Sequence, residues 1–195
     1  MGIRIRDDPV FKDGFFLDSG KKSELREFVS YHAKLWIDFL KNEMQATGAV
    51  MIDIDDTLID GKERVDHGFE HMYDLYQYVG LLYPMHIVTA RPKEDHAKCM
   101  KMLKERGFTI PPDRLHMLPS EHYGKDDALV VDFKWKTFLK IADLHGGVVG
   151  RFGDRLWDVA HRGSLSTYLS HIPHKSCYIF KDKNLGGCVS YKLPG

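Results

Sequence analysis

The chain has 195 residues, 43% apolar and 29% charged, which fits one domain with a substantial core and argues against wholesale disorder. Lys plus Arg total 28 and Asp plus Glu total 28, so the formal net charge is zero, unlike a protein whose main task is coating nucleic acid. Cys99, Cys177 and Cys188 form no C-x-x-C pair, which predicts a reduced compartment and no disulfide framework.

The opening MGIRIRDDPV has no apolar secretory core, and Arg6 stands where a myristoylation motif wants Ser or Thr. No apolar run approaches the length of a membrane span, so a cytoplasmic protein without a membrane partner is expected. The first twenty residues, with Pro9, Gly14 and Gly20, read as an extended arm. Ser23 is a candidate cap for a helix beginning near Glu24. Leu25, Phe28, Val29, His32, Leu35, Trp36, Phe39 and Leu40 then recur at helical spacing and predict a docking face.

From Ala49 the pattern changes. AVMIDID is a short apolar run ending in carboxylates, as in a buried parallel strand. A helix is predicted within 66–78, and MHIVTA from Met85 is a second strand. Lys93–Arg106 predicts an amphipathic helix stopped by Gly107. RLHMLP from Arg114 is a third strand, Phe133–Leu144 a helix, and VVGRFGD from Val148 a fourth strand. Another helix follows Asp154. CYIF from Cys177 and CVSYKL from Cys188 complete the strands. Strands alternating with helices predict an α/β fold, a doubly wound, Rossmann-like and mostly parallel sheet flanked by helices, with an extra N-terminal helix. In such sheets the site lies at the carboxyl ends of the strands. Asp53 and Asp55, Thr89 and Asp154 all fall there.

Asp53-Ile54-Asp55-Asp56-Thr57 resembles motif I, DxDxT, of the haloacid dehalogenase (HAD) superfamily. Thr89 in HIVTAR is similar to its motif II, and Gly153-Asp154-Arg155-Leu156-Trp157-Asp158 to motif IV, GDxxxD. Lys134 and Lys136 in FKWKTFL both qualify as the motif III lysine, with Lys134 preferred. The resemblance spans about Ala49 to Phe180. It divides the single domain into an arm and docking helix, 1–48, and a phosphatase-like core, 49–195.

The resemblance implies a phosphomonoester hydrolase using Mg2+. Asp53 is then the nucleophile that forms an aspartyl-phosphate, and Asp55 the general acid and base. Asp53, the Asp55 carbonyl, Asp154 and Asp158 are implied metal contacts, with Asp158 outside the first shell. Thr89 and Lys134 bind phosphate, and Arg91 at the mouth is a further candidate. The chemistry also follows without the family. Phosphoryl transfer needs a nucleophile, a proton donor for the leaving oxygen and positive charge around the phosphate. Carboxylates beside a dianion require a hard cation, and magnesium favours oxygen ligands. Residues two apart on a strand share a face, so Asp55 points with Asp53; if the chain turns after Ile54, Asp55 is carried over the phosphate instead. Many phosphatases of the superfamily carry Gly where this chain has Asp56, which reads as outer-shell or structural.

The gaps between motifs leave no room for a large cap, which implies a capless or minimally capped enzyme. An open site suits bulky phosphorylated substrates, or closure by a second subunit. Nucleic-acid 3′-phosphates, phosphoproteins and small phosphometabolites all remain candidates, although zero net charge does not point to nucleic acid. KDD, an apolar run and FKWK also resemble the phosphatase half of polynucleotide kinase-phosphatases. The loop 120–127, with His122, Tyr123 and Lys125, is placed to shape specificity. A HAD-type phosphotransferase and a silent HAD-fold binding module are the competing readings. The oligomeric state stays open. Eleven histidines carry no H-E-x-x-H or Cys/His ligand spacing, and His171-x-x-His174 reads as a loop rather than a zinc site. Trp135 and Trp157 read as packing residues, Trp157 with the option of walling the pocket.

Overall fold

The computed structural model describes residues 4–7, 14–18, 21–60, 69–159, 177–182 and 188–194. Its strands are β1 (Arg4–Asp7), β2 (Gly14–Asp18), β3 (Ala49–Ile52), β4 (Met85–Pro92), β5 (Leu115–Leu118), β6 (Val148–Gly153), β7 (Cys177–Asp182) and β8 (Cys188–Lys192). Its α-helices are α1 (Lys22–Asn42), α2 (Phe69–Gly80), α3 (His96–Glu105), α4 (Asp127–His145) and α5 (Leu156–Val159). The strands form one sheet in the order β1-β2-β7-β8-β6-β3-β4-β5. β8, β6, β3, β4 and β5 run parallel, and the β1-β2, β2-β7 and β7-β8 pairs are antiparallel. The segment read as an extended arm therefore supplies two strands to the sheet.

Period-two alternation sorts the parallel strands into two cores. Val50, Ile52, Ile87, Phe152 and Tyr191 join α1, α2 and α3 on one face. Ala49, Met51, Val88 and Val148 meet Phe138 and Ile141 of α4 on the other. With apolar contact on both faces, these strands carry no solvent side, which is why AVMI is apolar throughout. Each fully buried aliphatic side chain contributes about 1.5–3 kcal/mol relative to exposure.

The helix ends follow local chemistry. Asp126 accepts a bond from Ala128 N at 2.8 Å and caps α4, which therefore starts at Asp127, ahead of the predicted Phe133. Gly146, at φ 73°, closes its C-terminus. Gly107, at φ 85°, stops α3 as expected, behind a 3₁₀ turn at Lys93–Asp95. Ser23 is not a cap: α1 begins at Lys22, with Lys21 in the cap position and no side-chain bond there.

The docking face of α1 follows expectation except at its margin. Leu25, Arg26, Val29, Ser30, Ala33, Ile37 and Leu40 are buried, while Leu35 and Phe39 are exposed at 53% and 43%. Phe28 and Trp36 of the expected stripe pack half-buried against the core, and small residues at 30 and 33 let the helix lie close against its neighbours.

Cys99, Cys177 and Cys188 are buried free thiols. Cys177 pairs with Leu17 and Cys188 with Asp182, at opposite ends of the β7-β8 ladder, so no bridge links them. Trp135 packs on the α4 core and stacks on Phe138, with ring centroids 5.0 Å apart, as expected. Histidines do gather, in a place no local spacing reveals. His86 Nδ1 lies 2.9 Å from His116 Nε2, and His86 Nε2 lies 2.9 Å from His145 Nε2. They come from β4, β5 and the end of α4, at the edge of the sheet away from the strand carboxyl ends. His171 and His174 lie outside the described residues.

Among the described residues no helix is long and apolar enough to cross a membrane.

Candidate active site

The chain passes from β3 to β4 and β5 on one side, then crosses to β6 on the other. The β3-β6 boundary is therefore a topological switch point, where the loops leaving the strand ends part and open a crevice. Ile52 pairs with Phe152, so β3 and β6 end in register. That register sets Asp53 beside Asp154.

β3 ends at Ile52, and the chain turns at once. Ile54 O accepts from Thr57 N, Leu58 N and Ile59 N at 3.3, 2.8 and 3.1 Å. Asp53 and Asp55 thus do not share a strand face; Asp55 rides on the turn. Asp56 takes φ 54°, a left-handed conformation uncommon outside glycine but tolerated by Asp.

Lys134 and Lys136 part company on α4. Lys134 shares its buried face with Thr137, Phe138 and Ile141, whereas Lys136 is exposed. Lys134 Nζ donates to Asp53 Oδ1 at 2.7 Å and to Asp158 Oδ1. Asp158 Oδ2 accepts from Arg155 N at 2.9 Å, so both oxygens of Asp158 are engaged. Asp53 Oδ2 has no hydrogen bond among the described residues.

Gly153 makes this packing possible. A Cβ there would overlap the Cβ and carboxylate of Asp158. The glycine of GDxxxD is thus required by the acid five residues later.

Asp53, Asp154 and Asp158 are all buried, and one carboxylate oxygen from each lies within 4.8 Å of the others. Burial raises the Asp53 carboxyl well above its ordinary range; Lys134 opposes this, while Asp158 and Asp154 add to it. Burial, then Asp158, raises Asp154 to about 7. Burial pulls the Lys134 ammonium down, but Asp158 and Asp53 outweigh it and the net shift is upward. Lys134, together with the Arg155 guanidinium whose Nε lies 3.4 Å from Asp154 Oδ2, faces three crowded carboxylates, which leaves the cluster short of positive charge. The donor set is all oxygen, which suits a hard divalent cation. The residues present fit such an ion.

Thr89 ends the regular part of β4, where the ladder to β5 is interrupted between Thr89 and Pro92. The irregularity re-aims the chain. Thr89 Oγ1 accepts from Arg91 N at 3.2 Å. Arg91 turns towards the site and grips Asp55 at both oxygens, Nε to Oδ2 at 3.0 Å and Nη2 to Oδ1 at 2.6 Å. Its Nη1 reaches Met102 Sδ at 3.3 Å. The Asp55 bond and charge raise the Arg91 pKa against the pull of burial. The structure brings together Asp53, Lys134, Asp154 and Asp158, and separately Asp55 with Arg91.

Three buried cations by the site escape sequence reasoning, the first being Arg151 of β6, whose Nε and Nη2 donate to Asp158 O, both at 3.4 Å. Arg26 of α1 donates from Nη2 to Asp56 O and to Pro194 O, both at 2.9 Å. Lys192 ends β8 opposite Gly153 and donates to Leu193 O at 3.1 Å. Burial lowers Lys192 to about 8, with Asp154 among the groups opposing it. The one sequence signal for Arg26 is a charged residue beside Leu25 on an apolar helix stripe. At the start of α4, Gly124, Lys125, Asp126, Asp127 and Val130 line an open cleft of about 430 Å3, within and beside the loop expected to shape specificity.

No family model matches the chain, and no curated protein matches by sequence. Among solved structures the chain is similar to the class C acid phosphatase from Bacillus anthracis, with a TM-score of 0.54 and 11% identity. The match covers 79% of this chain and 75% of that one. At this identity the likeness establishes a shared fold.

Proposed function

We propose that the chain is a HAD-type phosphatase that hydrolyses phosphomonoesters with Mg2+. The observation that carries this reading is the Lys134 ammonium 2.7 Å from Asp53 Oδ1, in a buried set of carboxylates at the strand carboxyl ends. A shared fold with an acid phosphatase supports it.

In this reading Asp53 attacks phosphorus through Oδ2, the oxygen Lys134 leaves open. An Asp53 O–P bond forms and the ester P–O bond breaks. Asp55 gives its proton to the leaving oxygen, then takes one from the water that attacks phosphorus and releases inorganic phosphate. Asp55 cannot donate while both its oxygens accept from Arg91. An arriving phosphate offers the guanidinium a new partner and frees one oxygen. Arg91 then serves phosphate binding and the placement of Asp55 together. Thr89 Oγ1 already accepts from Arg91 N, which leaves its proton for a phosphate oxygen. Lys134 holds Asp53 in place and offsets charge gathering on the phosphoryl oxygens. Asp53, Asp154 and the Asp55 carbonyl would hold Mg2+, with Asp158 behind them, and the ion would supply positive charge to a site otherwise crowded with carboxylates.

The test is hydrolysis of p-nitrophenyl phosphate with magnesium and with EDTA, wild type beside Asp53→Asn. Turnover that needs magnesium and vanishes in the variant is expected. Turnover unaffected by either change contradicts the reading.

A further inference from the structure

We infer that Arg26, on the N-terminal helix outside the motif-bearing core, is a positioning residue of the active site. The inference rests on the phosphatase reading and extends its machinery to α1. Arg26 is 1% exposed, and one of its nitrogens spans two loops. Nη2 donates to Asp56 O at 2.9 Å and to Pro194 O at 2.9 Å. The first carbonyl belongs to the turn after β3, one residue beyond Asp55. The second follows β8, where Leu193 N bonds Gly153 O at 2.7 Å, next to Asp154. The guanidinium thus staples the strand-end turn bearing Asp55 to the segment that brackets Asp154. The Phe69 ring packs under it, with the guanidinium carbon 4.1 Å from the ring centroid.

The turn needs such a staple because of its own sequence. Asp56 stands at φ 54°, in the region glycine enters without a Cβ penalty. A non-glycine residue there persists when the surroundings over-determine it. Arg26 supplies that constraint by fixing the carbonyl of the strained residue itself. It holds Asp56 in the left-handed conformation and, with it, the turn that carries Asp55. A charged residue buried on an apolar helix face, where desolvation alone lowers its pKa, needs partners of this kind.

The test compares wild type, Arg26→Lys, Asp56→Gly and the double variant, all in the full chain. Lysine keeps the charge but is too short to span both carbonyls. In Arg26→Lys, amide exchange at Thr57, Leu58 and Ile59 should quicken about tenfold while amides of β3 and β4 keep their protection. Kcat towards a phosphomonoester should fall about tenfold with KM within about twofold. In the Asp56→Gly background the same change should lower kcat at least about threefold less, because glycine needs no enforcement. Unchanged exchange at 57–59, acceleration spread evenly over the core, or an equal kcat loss in both backgrounds overturns the inference. A wild type without turnover would remove the phosphatase reading, while the exchange pattern would still judge the staple. Should Arg26→Lys not fold, the wild type decides. Its Arg26 Nη proton signals should move on adding magnesium with inorganic phosphate, and unmoved signals overturn the inference.

Discussion

Lys134 Nζ lies 2.7 Å from Asp53 Oδ1 and also donates to Asp158, so one buried ammonium joins a strand end to the first turn of α5. Replacing it by methionine strands two buried carboxylates. Removing one partner of a buried pair costs about 3–5 kcal/mol. Lys134→Met should therefore lower the melting temperature sharply in EDTA and recover part of the loss in magnesium. Turnover should fall about 10²–10³-fold. The exposed Lys136→Met should change stability by no more than about 0.5 kcal/mol and leave turnover near wild type. Thermal melts and steady-state rates on both variants check this.

Gly153→Ala should be severe for a residue so small. Its new Cβ would meet the Cβ and carboxylate of Asp158, and neither is the free end of a flexible chain, since Lys134 and Arg155 N hold that carboxylate. A loss of about 2–3 kcal/mol in urea unfolding is expected, together with weaker magnesium binding by calorimetry. Wild-type values on both would show that Asp158 is free to move.

Arg91→Lys keeps a charge near Asp55 but gives up the paired bonds from Nε and Nη2. Kcat should fall more than about tenfold, with a rise in KM where phosphate also loses its contact. Steady-state constants matching wild type would remove Arg91 from the site.

The histidine trio makes stability depend on pH. Burial, then the neighbouring His116 and His145, lowers His86 to about 4. His116 and His145 are lowered too, chiefly by burial. Arg114 and Lys140 add to the lowering and Asp113 opposes it. The unfolded chain therefore binds a proton that the folded one refuses. The contribution of His86 is complete above its ordinary value near 6.5 and is lost as pH falls through about 4. The loss is on the order of 2 kcal/mol. Melting at pH 7.5 and at pH 4.5 should show a smaller difference in His86→Gln than in wild type. An equal difference would assign the acid sensitivity elsewhere.

These relationships separate what local sequence carries from what it does not. The apolar run at Ala49, the strand at Met85 and the carboxylates at 53 and 154 were legible because a buried strand and its polar exit leave a continuous local pattern. The antiparallel edge was not, since nothing within CYIF or CVSYKL says that β8 slots between β7 and β6 while β1 and β2 extend the far side. The face of α1 was legible in Leu25, Val29 and Leu40, while Leu35 and Phe39 lie at its exposed margin and the small Ser30 and Ala33, which a bulky stripe omits, extend the buried side. The onset of α4 lay hidden behind Val130 and Val131, although Asp126 was an available cap. Lys134 and Lys136 could be ranked only by family form; on the helix, burial separates them. The Arg26 staple and the His86–His116–His145 chain each join residues distant in sequence, so no periodicity reports them.

The most direct test of the central claim is to trap the covalent step. The full chain, turning over a phosphomonoester with magnesium, is quenched and reduced with borohydride, and the peptide containing residue 53 is analysed by mass spectrometry. Reduction of an aspartyl-phosphate converts the aspartate to homoserine, so homoserine at position 53 is the expected result, absent without substrate and absent in Asp53→Asn. Steady turnover with Asp53 unmodified, or with homoserine at another aspartate, would contradict Asp53 as the nucleophile.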